Sequence, residues 1–145
     1  MVAYDGSEPS WKAIEYAASL ASERKVKLII VTVVPKPTYP IPTGEHLEAS
    51  VGSLYLNLDE RVKDTYGQAL EKASRYVRKL DPGVELELVL LEGKPSDRIV
   101  AEVKKRDVNL LVIGSHGIGG VTGWILGSTS KKVVEGIDRP VLIIK

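Results

Sequence analysis

LLVIGSHGIGGVTGWILGSTS, residues 110–130, is the stretch around which the rest of the chain is organised. It opens with Leu110, Leu111, Val112 and Ile113, an apolar run short enough for a strand buried on both faces. Glycines then recur at Gly114, Gly117, Gly120, Gly123 and Gly127, with Gly119 besides. So much glycine makes a poor helix, since each one costs about 1 kcal/mol against alanine in a helix interior. It suits a loop, where bare backbone lets a bulky group approach main-chain N–H donors. Ser128, Thr129 and Ser130 follow, then Lys131, Lys132, Val133 and Val134, the pattern of a hydroxyl-capped helix start. Buried strand, glycine loop and hydroxyl-rich helix N-terminus together predict a phosphate site.

Spacing separates this loop from two others. A Walker A loop needs glycine, four residues, then Gly-Lys-Ser/Thr. The one Gly-Lys pair, Gly93-Lys94, is followed by Pro95 and has Leu88 where the first glycine belongs. A G-x-G-x-x-G fingerprint begun at Gly117 would need glycine where Thr122 stands. What is present is Gly114, two residues, Gly117, nine residues, Gly127, then Ser128.

Composition narrows the rest. At 145 residues the chain predicts one domain, 1–145, large enough to bury a core. A hydrophobic content of 43% beside 27% charged residues places it among ordinary globular proteins. The formal net charge of +1 gives no general attraction to nucleic acid or to an anionic membrane, so neither is expected as a partner. No apolar run approaches the roughly 20 residues of a membrane span, and no secretory h-region is present, so a cytoplasmic location is expected. Cysteine is absent, which removes disulfides, thiolate nucleophiles and cysteine metal sites. His46 and His116 are the only imidazoles, too few for a histidine-rich metal site. One methionine, one glutamine and two asparagines beside abundant Lys, Arg and Glu point to a heat-adapted source.

Strands and helices alternate along the chain. Met1 to Tyr4 reads as a first strand ending in the turn Asp5-Gly6-Ser7. Ser7 as cap, Pro9 in the first turn and a stripe of Trp11, Ile14, Ala18 and Ala21 predict a helix. Residues 26–34 (VKLIIVTVV) read as a buried strand. Residues 35–53 hold four prolines and two glycines and are too long for a simple connection. They predict a lid beside the site or a disordered segment. Leu54, Leu58, Val62, Leu70, Ala73, Val77 and Leu80 mark a long amphipathic helix closed by Asp81-Pro82-Gly83. Residues 84–91 read as a third strand, whose alternating Glu85 and Glu87 predict a wet face near a sheet edge. Ile99, Val100 and Val103 mark a helix between Pro95 and Arg106. After the glycine loop, Val133, Val134 and Ile137 carry a last helix, and Val141, Leu142, Ile143 and Ile144 a last strand.

This alternation predicts an α/β fold, a parallel sheet covered by helices on both faces. In such folds ligands sit at the carboxyl ends of strands, where the strand order reverses. The Asp5-Gly6-Ser7 turn and the loop from Ser115 both follow strand ends and are expected to share that crevice. The last strand has the opposite problem. Four apolar residues want cover on both faces, yet the final strand of a small sheet lies at an edge with open backbone groups. A symmetric partner strand would satisfy both, so a homodimer through Val141 to Ile144 is expected.

The sequence resembles the universal stress protein family over almost its whole length. The matching segments are VAYDGSEPS (2–10), VTVV (31–34), EGKPSDRIV (92–100), NLLVIGSHG (109–117), the Gly127-Ser128 end of the loop and RPVLIIK (139–145). The resemblance implies a Rossmann-like, doubly wound five-stranded sheet with strand order 3-2-1-4-5, binding of ATP, and dimerisation through the last strand. It also implies roles for individual residues. Ala3 and Asp5 would lie at the nucleoside end, with Val33 and Ile113 on two sides of the adenine. Gly114, His116 and Gly117 would approach the ribose and phosphates. Gly127, Ser128, Thr129 and Ser130 would donate to the terminal phosphates, with Mg²⁺ bridging phosphate oxygens. The chain departs from the family at its start, where several apolar residues normally precede the position of Val2, which leaves open whether the native start lies upstream of Met1.

The leading expectation is therefore an ATP-binding regulator, with no catalytic residue assigned. A slow ATP-hydrolysing or adenylate-transferring enzyme is the alternative. Against it, no Walker lysine, paired acid–base carboxylates or ordered triad can be read. A general-base role for His116 lacks a group to orient it. A homologue that binds nothing is a third reading, and the intact glycine series opposes it. Lys104, Lys105 and Arg106 read as a solvated helix end favourable to the dipole. Lys131 and Lys132 read as solvated too, and Trp124 as packing.

Overall fold

The computed structural model describes residues 1–36, 48–118 and 126–145, with backbone alone at 48–53. In chain order these form β1 (Val2–Ala3), α1 (Glu8–Arg24), β2 (Leu28–Val34), α2 (Glu48–Leu80), β3 (Leu86–Glu92), α3 (Pro95–Lys105), β4 (Leu111–Gly114), α4 (Ser128–Gly136) and β5 (Val141–Ile144). Every neighbouring pair of strands is parallel, in the order β3-β2-β1-β4-β5. The α/β class is as the alternation of strands and helices predicts, and the strand order is as the family resemblance implies.

Side chains alternate across the strands, so one sheet feeds two apolar layers. On one face Val2, Tyr4, Ile30 and Val112 meet Ile14 and Ala18 of α1 and Leu70, Ala73 and Val77 of α2. On the other, Ala3, Val31, Val33, Leu111 and Ile113 meet Ile99 and Val103 of α3 and Val133 of α4. β1 is short but central: Val2 pairs with Ile30 and Val112, and Ala3 with Val31 and Ile113. β3 forms one edge, as its glutamates predict, and Lys27 Nζ lies 2.7 Å from Glu87 and 3.3 Å from Glu85. Ser7 caps α1 as expected, accepting from the Ser10 N–H, with Pro9 in the first turn. Among the described residues no helix is long and apolar enough to cross a membrane.

Two expectations are corrected. Residues 48–53, read as part of a long connection, are helical, because α2 begins at Glu48 and runs for 33 residues. Only 37–47 of that connection, His46 included, fall outside the described residues, and the expected lid lies mostly there. The stripe of α2 is also buried only from Leu70 to Val77, and Leu80 at its end is exposed. Leu54 is 54% exposed and Leu58 38%, while Leu70, Ala73 and Val77 are buried. The cause is length. A helix of 33 residues spans about 50 Å, whereas the seven residues of β2 span about 23 Å. Since α2 follows β2, its overhanging first half lies at the carboxyl end of the sheet.

Candidate functional site

The chain passes from β1 to β2 on one side, while β4 lies on the other, so the winding reverses between β1 and β4. At the carboxyl ends of these two strands opens a crevice of about 330 Å³. The eleven residues given nucleotide-binding roles in the resemblance all line it: Ala3, Asp5, Val33, Ile113, Gly114, His116, Gly117, Gly127, Ser128, Thr129 and Ser130. Gly119, Gly120, Gly123 and Trp124 lie outside the described residues.

Asp5 stands where β1 turns into α1, and its carboxylate organises that turn. The Ser7 N–H donates to Oδ1 at 3.0 Å and the Ser7 hydroxyl donates to the same oxygen at 2.6 Å. The Ile118 N–H donates to Oδ2 at 3.3 Å, which ties the glycine loop to the first turn. An ionised carboxylate offers about four acceptor sites, so Asp5 keeps capacity toward the crevice beyond these bonds. Gly6 takes φ +90°, a conformation an L side chain rarely adopts, and this lets the chain reverse so sharply after Asp5.

The β4 end is built on close approach. A Cβ at Gly114 would sit 2.8 Å from the Ser10 nitrogen and 2.9 Å from the Pro9 carbonyl carbon, so α1 rests on bare backbone there. The Ser115 N–H donates to the Ile144 carbonyl at 2.7 Å and carries the β4–β5 pairing one residue further. The Gly127 N–H donates to the Ser115 carbonyl at 2.8 Å, and a Cβ at Gly127 would sit 3.0 Å from His116 Cα. The loop thus returns to its own root before α4 begins.

That return corrects the predicted cap. The N-cap of α4 is Gly127 and has no side-chain hydrogen bond, so Ser128, Thr129 and Ser130 occupy the first turn. Their three N–H groups have no partner within the helix and carry its partial positive charge. The Ser130 hydroxyl is turned inward, donating to the Gly114 carbonyl at 2.8 Å, so at position 130 only the amide remains for a ligand. His116 Nδ1 lies 3.0 Å from the Ser115 hydroxyl, a weaker orienting partner than a carboxylate. The N-terminus of α4 and a hydroxyl at Ser128, both lining the crevice, make one end of it receptive to an anion.

Sequence reasoning missed several wall residues. Pro95 and Ile99 come from the start of α3, Tyr4 and Ser10 from either side of the Asp5 turn, and Tyr66 from α2. Tyr66 lies four residues after Val62 and four before Leu70, so the apolar stripe itself was its signal. Burial, and then the Asp5 carboxylate, raise the pKa of both Tyr4 and Tyr66 above the ordinary tyrosine value.

Two-way winding from a β1/β4 reversal, with a glycine-lined crevice at the strand ends, defines a doubly wound α/β protein with an anion-receptive switch-point site. The family model described as the universal stress protein family matches residues 1–145, and the chain belongs to that family. It is 34% identical over 148 residues to the universal stress protein YxiE of Bacillus subtilis, covering 100% of this chain and 97% of the relative. The solved universal stress protein UspA from Lactobacillus plantarum superposes with a TM-score of 0.78 at 20% identity, covering 99% of this chain and 95% of that one. A universal stress protein from Archaeoglobus fulgidus, solved in complex with dAMP, gives a TM-score of 0.64 at 24% identity over 99% and 94% of the two chains.

Proposed function

We propose that the crevice binds an adenine nucleotide, ATP with Mg²⁺ on its phosphates, and that the protein is a nucleotide-responsive regulator working as a homodimer through β5. The observation that carries this is the meeting of two unlike surfaces in one cleft. Val31, Val33, Ile99 and Ile113 supply an aliphatic wall, while Gly117 and the first turn of α4 supply amides for an anion. A nucleotide has that same division, a flat apolar base at one end and charged oxygens at the other. The dAMP bound by the Archaeoglobus fulgidus relative supports an adenylate here.

In this reading Ala3 and Asp5 attend the sugar, Asp5 as an acceptor for its hydroxyls. Val33 and Ile113 line the base, and Gly114, His116 and Gly117 let the phosphates approach the backbone. Gly127, Ser128, Thr129 and Ser130 donate to the terminal phosphates, Ser130 through its amide. Among the described residues no three His, Cys, Asp or Glu gather as a metal-ligand group. Mg²⁺ would therefore be held by phosphate oxygens, a manner of binding usual for this ion. Its contribution is to neutralise phosphate charge.

The experiment is to denature the purified protein, identify any released nucleotide by mass spectrometry, and titrate the emptied protein with ATP, ADP and AMP by calorimetry. Adenine nucleotide in the release, or saturable ATP binding, supports the reading. Absence of both refutes it. Turnover is expected to fall far below the ~1–10³ s⁻¹ of typical enzymes. Several turnovers per second, lost in His116→Ala, would put the enzyme reading first.

A further inference from the structure

Tyr66 enters the crevice from an element that none of the loop motifs involves. Its placement follows from periodicity: Tyr66, Leu70, Ala73 and Val77 fall at i, i+4, i+7 and i+11 on one stripe of α2. The last three are buried on the sheet. Tyr66 stands one turn nearer the carboxyl edge, where the sheet ends and α2 begins to overhang. There its side chain is half-buried and lines the crevice beside Asp5.

The opposite wall has a different origin. Val31, Val33, Ile99 and Ile113 belong to the apolar layer on the α3 side of the sheet, whereas α2 packs on the other side. The crevice straddles the sheet edge, aliphatic on one side and aromatic on the other. A flat base laid against the aliphatic wall needs cover on its second face, and a tyrosine ring provides apolar cover with few rotatable bonds to freeze.

Resting on the nucleotide reading above, we infer that the ring of Tyr66 closes over the nucleoside half of the ligand and makes the crevice prefer a nucleotide to a bare polyphosphate. The phosphates are handled by other elements, the Gly114–Gly117 segment and the start of α4, so the ring contributes nothing to them. The raised pKa of Tyr66, from burial and then Asp5, agrees with a phenol drawn in beside that carboxylate. A purely structural tyrosine, filling the gap where α2 leaves the sheet, would affect every ligand of the crevice alike through the fold.

Calorimetry with two probes, ATP and tripolyphosphate, separates these on wild type, Tyr66→Phe and Tyr66→Ala. Stacking of a base on an aromatic side chain supports an expected loss of about tenfold in ATP affinity for Tyr66→Ala. Tripolyphosphate affinity should stay unchanged, and Tyr66→Phe should keep wild-type affinity for ATP because the ring remains. Should Tyr66→Ala unfold, Tyr66→Leu, which keeps apolar bulk without the ring, is read in the same way. Unchanged ATP binding in the ring-less variant, or equal weakening of both probes, overturns the inference. A wild type that binds tripolyphosphate but not ATP instead overturns the nucleotide reading on which it rests.

Discussion

Gly117 Cα lies against the carboxylate of Asp5, so closely that a Cβ built on it would fall within 3.0 Å of Oδ2. The obstacle is the end of a side chain, not backbone, so a substitution there displaces Asp5 more readily than it breaks the fold. Gly117→Val should therefore abolish ATP binding while the protein melts near the wild-type temperature. Its γ-methyls would also occupy the approach to the loop amides. A folded Gly117→Val that titrates with ATP like wild type would remove both Asp5 and the loop from the binding site.

Ser128 and Ser130 sit in one helical turn but should fail in different ways. The Ser130 hydroxyl is buried and donates to the Gly114 carbonyl, so Ser130→Ala should cost stability of about 1–2 kcal/mol, a lost bond plus an unpaired buried carbonyl. Ser128 lines the crevice, and no described residue accepts from or donates to its hydroxyl. Ser128→Ala should leave urea unfolding unchanged and weaken ATP, since a hydrogen bond to a charged group is worth roughly 1.5–3 kcal/mol. Finding the two effects exchanged would contradict the inward rotamer of Ser130.

The sequence reported well what is local and poorly what is decided at a distance. Continuous apolar runs and helical stripes are local, and every strand and helix of the sheet was legible from them. The turn at Asp5 and the spacing of Gly114, Gly117 and Gly127 are local as well. The cap of α4 is not. Whether Gly127 or a hydroxyl residue ends the loop depends on the bond from the Gly127 N–H to the Ser115 carbonyl, across a segment whose path no propensity describes. Tyr66 was hidden for a related reason: a stripe names the buried face of a helix, not the point at which the sheet beneath it stops. The same ignorance of sheet length made Leu54 and Leu58 look like core.

Thr32 on β2 is fully buried, and its hydroxyl has no hydrogen-bond partner among the described residues. It shares a sheet face with Ile30, two residues earlier, in the layer under α1 and α2. A buried hydroxyl without a partner costs about 1–3 kcal/mol of lost solvation. Thr32→Val keeps the shape and removes the polar atom, so it should stabilise the protein by about 1 kcal/mol and raise Tm by about 2–4 °C for a chain of this size. A lower Tm would mean that the hydroxyl is bonded in solution.

Among the described residues β5 is the last strand of the sheet and pairs on one side only, with β4 from Leu111↔Val141 to Gly114↔Ile144. Its backbone groups on the other side face outward, and an uncovered edge of this kind invites pairing with another chain. The side chains divide unequally: Leu142 and Ile144 pack toward α1 and Val141 toward the α3 layer, but Ile143 is 37% exposed. A second copy laid antiparallel across a two-fold axis would pair the open backbone groups and cover Ile143, since an isologous contact brings the same strand from both subunits. Light scattering should accordingly give a dimer mass at micromolar concentration. Ile143→Lys should give a folded monomer whose Tm no longer depends on protein concentration, because a charge on an edge strand opposes strand addition without disturbing the core beneath it. A wild-type monomer at that concentration, or an Ile143→Lys dimer that persists on dilution, would show that this edge is not the interface.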